Sequence, residues 1–132
     1  MSDFMIDGQI YSSDVLTEHS RSLMLALRFA EQEIWDINRR VGVAQTARNT
    51  YVLVLNKLLP KPLSDSSDEQ GVLTFGTKKY LRSELSEEAN KHLEAILETD
   101  KLLAQLQDDY AIAETARAIY GRDFKASVST LH

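Results

Sequence analysis

Cysteine is absent from the 132 residues, so disulfides, thiolate metal ligands and thiol catalysis are excluded. Long apolar runs are also absent, and none approaches the ~18 residues that a membrane span needs. The segment from Met1 to Asp7 lacks the basic start and apolar stretch of a signal peptide. We therefore expect a soluble, cytoplasmic protein without a membrane partner.

The chain also lacks an excess of basic residues. The chain carries 15 Lys and Arg against 20 Asp and Glu, a net charge of −5. Residues 1–60 hold seven acids and six bases, whereas residues 61–132 hold thirteen acids and nine bases. Because duplex binding normally needs a basic face that displaces counterions, nucleic acid is not expected as a partner.

The residue groupings of catalytic and metal sites are not found in the sequence. The three histidines, His19, His92 and His132, are isolated, and none forms the Glu-x-x-His pair of di-metal helical bundles. No nucleophile has a plausible general base beside it. We expect no catalytic residues, no metal, no cofactor and no enzymatic activity.

An internal repeat dominates the sequence. A shift of 69 positions aligns Thr46-Ala47-Arg48 with Thr115-Ala116-Arg117 and Tyr51 with Tyr120, without a gap. The same shift aligns tyrosine, leucine, glutamate and alanine pairs elsewhere, namely Tyr11 with Tyr80, Leu16 with Leu85, Glu18 with Glu87 and Ala44 with Ala113. The pattern predicts a tandem duplication, with residues 4–59 and 73–128 as two copies of one unit.

Each copy is predicted to be a β-hairpin followed by a long α-helix. Asp7-Gly8 suits a two-residue type I′ loop, and Gly76-Thr77 suits a type II′ loop of the same length. Thr17 and Ser86 are predicted to cap the helices. The predicted organisation is unit 1 over 1–60 (hairpin 4–11, helix about 17–59), a linker over 61–72, and unit 2 over 73–132 (hairpin 73–80, helix about 86–126).

The predicted fold class is mainly α, an antiparallel helix pair with pseudo-two-fold symmetry. Apolar residues recur at spacings of three and four along one face of each helix, as in helices packed side by side. A forty-residue helix is roughly 60 Å long, whereas the connection between Pro60 and Val72 spans at most roughly 45 Å. The second helix therefore cannot easily return to run parallel to the first.

The predicted partner is a second copy of the chain. The runs 23–27 and 51–55 are apolar around the whole helix, which implies neighbours on more than one side. A homodimer that forms a helical bundle would supply those neighbours.

The motifs of the first copy carry a family resemblance. The chain shows Ile6-Asp7-Gly8-Gln9-Ile10-Tyr11, then Leu16-Thr17-Glu18, then Thr46-Ala47-Arg48 with Tyr51. It resembles a small uncharacterised family of bacterial and phage proteins with an I-D-G-K-x-Y start and a T-A-R-x-x-Y helix signature. The second copy matches more loosely, since Phe75-Gly76-Thr77 replaces the I-D-G element. The resemblance implies the architecture and marks the signature residues, and it names no chemistry.

Arg48 and Arg117 are the most unusual residues of the predicted seam, because an apolar position is an expensive place for a guanidinium without a partner. Salt bridges to Asp100 and Glu31 are one interpretation, since crossing helix midpoints would bring these pairs together. A second is a pair of symmetric pockets in which arginine, threonine and tyrosine bind an anionic ligand. A third is an acidic side chain from a partner protein. The candidate site residues are Arg48, Arg117, Tyr51, Tyr120, Thr46 and Thr115.

The leading functional hypothesis is a non-catalytic binding or assembly protein, a phage or bacterial accessory factor that acts through protein-protein interaction. The alternative is a small-molecule binder that sequesters an anionic metabolite or nucleotide signal at the arginine sites. Guanidiniums facing open space would favour the ligand hypothesis, and guanidiniums held by Asp100 and Glu31 would favour the structural one.

Overall fold

The protein is mainly helical in a computed structural model. The structure describes residues 3–6, 9–12, 16–63 and 71–129. The element order is a hairpin, a long helix, a second hairpin, a short 3-10 turn and a second long helix. The bounds are β1 Asp3–Ile6, β2 Gln9–Ser12, α1 Glu18–Leu58, β3 Val72–Phe75, β4 Lys78–Leu81, the turn Arg82–Glu84 and α2 Glu87–Ser129.

Both predicted hairpins form as antiparallel pairs of strands. In the first, Ile6 pairs with Gln9 across a two-residue loop, and the predicted type I′ turn at Asp7-Gly8 falls outside the described residues. In the second, Phe75 pairs with Lys78. Gly76 has a φ of +65°, which the first central position of such a tight loop requires and glycine adopts without strain.

The helices begin where the sequence predicts. The backbone N–H of Ser20 donates to Thr17 Oγ1 at 3.1 Å, and that of Ala89 donates to Ser86 Oγ at 3.0 Å. Each cap thus satisfies one N–H of the first turn, which has no carbonyl partner within the helix. The second helix ends at Ser129, three residues beyond the predicted end.

The strands and the helix of the second half each begin 69 residues after those of the first. β3 begins at 72 against 3 for β1, β4 at 78 against 9 for β2, and α2 at 87 against 18 for α1. The same offset relates the sequence identities described above.

The chain divides into two compact units that differ from the predicted domains. Unit 1 contains residues 1–41 and 105–132, and unit 2 contains residues 42–104. Each unit therefore combines one hairpin and the start of the helix after it with the end of the other helix. The predicted units, 1–60 and 73–132, are continuous segments of the chain. The observed units instead group residues that are in contact, and unit 1 joins two separate segments.

The core of unit 1 joins the start of α1 to the end of α2. Leu16, Phe124 and Val128 form a buried cluster, and Phe124 has no exposed surface. Ser20 Oγ donates to Ser127 Oγ at 2.8 Å. The two helix segments therefore run in opposite directions within this unit.

The core of unit 2 joins the end of α1 to the start of α2 and to the second hairpin. Leu55 is completely buried there, and Leu63 N–H donates to Lys79 O at 2.7 Å, which ties the residues after α1 to β4. The helix segments again run in opposite directions. The buried cluster consists of Leu55, Leu85, Ala89, Leu93 and Ile96, with Leu73 and Phe75 of the hairpin packed against it.

The predicted seam lies on the inner face of α1. The ten predicted positions on this face are all buried or half-buried, namely Leu27, Ala30, Ile34, Ile37, Val41, Ala44, Arg48, Tyr51, Leu55 and Leu58. On α2 the seam is less complete, because Tyr110 and Arg117 are exposed.

Candidate functional site

Arg48 lies on the inner face of α1 in unit 2 and is paired across to α2. Its Nε and Nη2 donate to Oδ1 and Oδ2 of Asp100 at 2.5 and 3.5 Å. This is the partner that the antiparallel arrangement predicts. The hydrogen bond to Asp100 raises the pKa of Arg48, and partial burial opposes the rise. About a third of the Arg48 side chain and 44% of the Asp100 side chain are exposed, so solvent screens the pair.

Arg117 does not pair with Glu31, and that prediction is wrong. Arg117 Nε and Nη2 donate to Oε1 and Oε2 of Glu114 at 2.8 and 3.2 Å, one turn earlier on α2. This bond raises the pKa of Arg117 and lowers that of Glu114. Glu31 contributes only a weaker electrostatic effect on Arg117. An acid three residues away on the same helix is already within reach, so it captures the guanidinium without any help from tertiary packing.

The remaining predicted residues do not gather around the arginines. Tyr51 packs against the core of unit 2, with its ring 6.3 Å from that of His92 in an edge-to-face arrangement. Thr46 is exposed, and Thr115 Oγ1 donates to Ala111 O at 2.9 Å within α2. The symmetric Arg-Thr-Tyr pockets are therefore not formed as predicted.

A pocket of about 470 Å³ lies in unit 2 between α1 and the second hairpin. Arg48 is the only predicted site residue in it. Its other polar members were not predicted from the sequence, although the alignment of Tyr11 with Tyr80 was one available signal. The lining includes Arg48 and Asn56 from α1, Phe75 from β3, Thr77 from the turn, and Lys78 and Tyr80 from β4.

A groove of similar volume lies in unit 1 between α1 and α2, and it is mainly apolar. Phe29 and Ile112 stand at this groove with 68% and 70% of their surfaces exposed. Small side chains, Ala30, Ala113 and Ala116, allow the space between the helices, and Tyr120 is the predicted site residue found here. The charged members of the lining are Glu33, Arg40 and Asp109.

Within the described part of the chain, no three histidine, aspartate or glutamate side chains cluster closely enough to hold a metal ion. Neither described helix has a segment apolar and long enough to cross a membrane.

Comparison with family models, with curated proteins and with solved structures finds no match to this chain. The resemblance described above therefore stays a prediction, and function is argued from the two pockets.

Proposed function

We propose that the protein is a non-catalytic assembly module that self-associates, with the groove of unit 1 as the contact between two copies. The observation that carries the proposal is the exposure of Phe29 and Ile112 on opposite sides of that groove. Isolated exposed apolar side chains are common, but large ones flanking an apolar groove are typical of interaction sites.

The charges beside the groove are self-complementary. Glu33 and Arg40 both line it and are seven residues apart, two turns along the same face of α1. A second copy whose α1 runs antiparallel would bring Glu33 of each copy opposite Arg40 of the other. A two-fold interface has this reciprocity, since the same patch is used on both sides.

The tandem duplication and its pseudo-two-fold symmetry belong to the same proposal. The constant offset of 69 residues between matching elements supports a duplicated hairpin-helix unit, as does the complete burial of both Leu55 and Phe124, which that offset aligns. With the family resemblance, this architecture favours an accessory role in a phage or bacterium, carried out by protein-protein contact.

The test is the mass in solution, measured by sedimentation equilibrium at several protein concentrations. The wild-type chain is expected at twice its 14.9 kDa. Glu33→Arg and Arg40→Glu each place like charges together and should give monomers. The double variant restores opposite charges on both copies and should dimerise again.

The matched control is Arg82→Glu, a charge reversal at an exposed position of unit 2 outside the groove. It should leave the mass unchanged. A wild-type chain that stays monomeric at about 0.1 mM, or a double variant that stays monomeric while the control dimerises, would refute this arrangement.

A further inference from the structure

The pocket of unit 2 combines cationic and neutral hydrogen-bonding groups. Arg48 and Lys78 supply positive charge, and Asn56, Thr77 and Tyr80 supply neutral polar groups, while no carboxylate of the described residues lines the space. The whole chain carries a net charge of −5. A lining with two cations and no described acid, in an acidic protein, favours an anion over a cation.

Asp100 leaves part of the Arg48 guanidinium free to bind a ligand. It takes Nε and one hydrogen of Nη2, so three of the five N–H donors are left for another acceptor. The ion pair also holds the guanidinium in one place, which reduces the entropy lost when a ligand binds. The structural pairing and a ligand contact are therefore compatible at Arg48.

Lys78 supplies a positive charge that no described acid offsets. It directly follows the Gly76-Thr77 turn and is exposed. The ion pairs among the described residues do not include it. An anion in the pocket would therefore bind the ammonium group of Lys78 without displacing a described acid.

Tyr80 contributes a hydroxyl that solvent can reach. Its side chain is 94% buried, leaving 6% exposed, and its hydroxyl makes no hydrogen bond within the described structure. No side-chain oxygen or nitrogen there is both buried and without a partner. The hydroxyl must therefore be accessible, and the pocket is the space that Tyr80 lines.

We propose that this pocket binds the phosphate group of a small phosphorylated metabolite. A phosphomonoester has three acceptor oxygens and a charge between about −1.5 and −2, which suits two cations and three polar side chains better than the two oxygens of a carboxylate. Phe75 and Val52 offer an apolar surface for the rest of the molecule. The volume of about 470 Å³ is within the range of small-molecule sites.

Isothermal titration calorimetry on the full chain tests the proposal with inorganic phosphate, ribose 5-phosphate and adenosine monophosphate. Ribose and adenosine are the matched probes without phosphate. The phosphorylated sugar and nucleotide should bind, their unphosphorylated partners should not, and added NaCl should weaken binding. Binding of inorganic phosphate alone would limit the site to a free anion and overturn the metabolite assignment.

Two variants and one matched control locate the site. Lys78→Gln should weaken binding about tenfold or more, since it removes a charge-assisted hydrogen bond, and Tyr80→Phe should weaken it severalfold. Lys79→Gln makes the same charge change on the opposite face of β4 and should bind like the wild type.

Circular dichroism establishes that each variant is folded. Equal losses of affinity in Lys78→Gln and Lys79→Gln would overturn the proposal. The absence of binding by every phosphorylated probe at about 5 mM, a concentration about tenfold above the Kd of a typical weak site, would overturn it as well. The calorimetric result is read independently of the mass in solution, so failure of the self-association experiment does not decide it.

Discussion

Arg48 and Arg117 occupy matching sequence positions but have different structural roles. Arg48 links α1 to α2 through Asp100, whereas Arg117 is bonded to Glu114 on its own helix. Only the first bond depends on tertiary structure. Removing it should therefore affect the packing of the two helices.

Double-mutant cycles with Arg48→Met and Asp100→Asn measure that link. We expect a coupling free energy of at most about 1 kcal/mol from urea unfolding, because both side chains are partly exposed and solvent screens the pair. The cycle of Arg117→Met with Glu114→Gln is the control and should give the smaller coupling. Equal coupling free energies would show that the bond between Arg48 and Asp100 stabilises the protein no more than the local pair of Arg117 and Glu114 does.

Among the elements, two glycines lie in contrasting backbone conformations. Gly42 is in the middle of α1, and beyond its chain neighbours and the adjacent backbone of its own helix an added methyl group would meet no described atom within 4 Å. Gly76 is in the hairpin turn with a φ of +65°. The same substitution should therefore have opposite effects at the two positions.

Gly42→Ala should raise the free energy of unfolding by about 1 kcal/mol, since alanine has the higher helix propensity and no neighbour opposes it. Gly76→Ala should lower it by about 1 kcal/mol, because an L side chain strains the left-handed backbone. Urea unfolding followed by circular dichroism at 222 nm measures both. A loss of stability in Gly42→Ala would mean that the helix needs its glycine for another contact.

At the scale of the whole molecule, each unit has its own fully buried anchor. Leu55 fills the core of unit 2 and Phe124 that of unit 1, and both have no exposed surface. Each anchor is near the end of one helix and packs beside the start of the other. Within each unit, the core therefore joins the end of one helix to the start of the other.

Leu55→Ala should lower the free energy of unfolding by about 2–5 kcal/mol, and Phe124→Ala by about 3–5 kcal/mol, through lost burial and a residual cavity. Leu53→Ala is the matched control for the first, because Leu53 is 64% exposed, and it should change stability by no more than about 0.5 kcal/mol. Chemical denaturation of the three variants gives the comparison. A small effect at either anchor would contradict its assignment as a core residue.

The strands, the helices and the inner face of α1 could all be predicted from local sequence patterns. Hairpin loops, helix caps and heptad spacing act over a few residues, so they can be read without coordinates. The pairing of Arg48 with Asp100 also followed, because an antiparallel arrangement of the two predicted helices brings those positions together.

The division into units and the composition of the unit 2 pocket depend on packing in three dimensions. Asn56 comes from α1, whereas Lys78 and Tyr80 come from β4, and periodicity along one element says nothing about which side chains of another will share its cavity. The bond from Arg117 to Glu114 is instead local to α2, where an acid three residues away took the place of the Glu31 that helix symmetry suggested. Local sequence patterns therefore predict the strands and helices, whereas packing in three dimensions determines which side chains line the pockets.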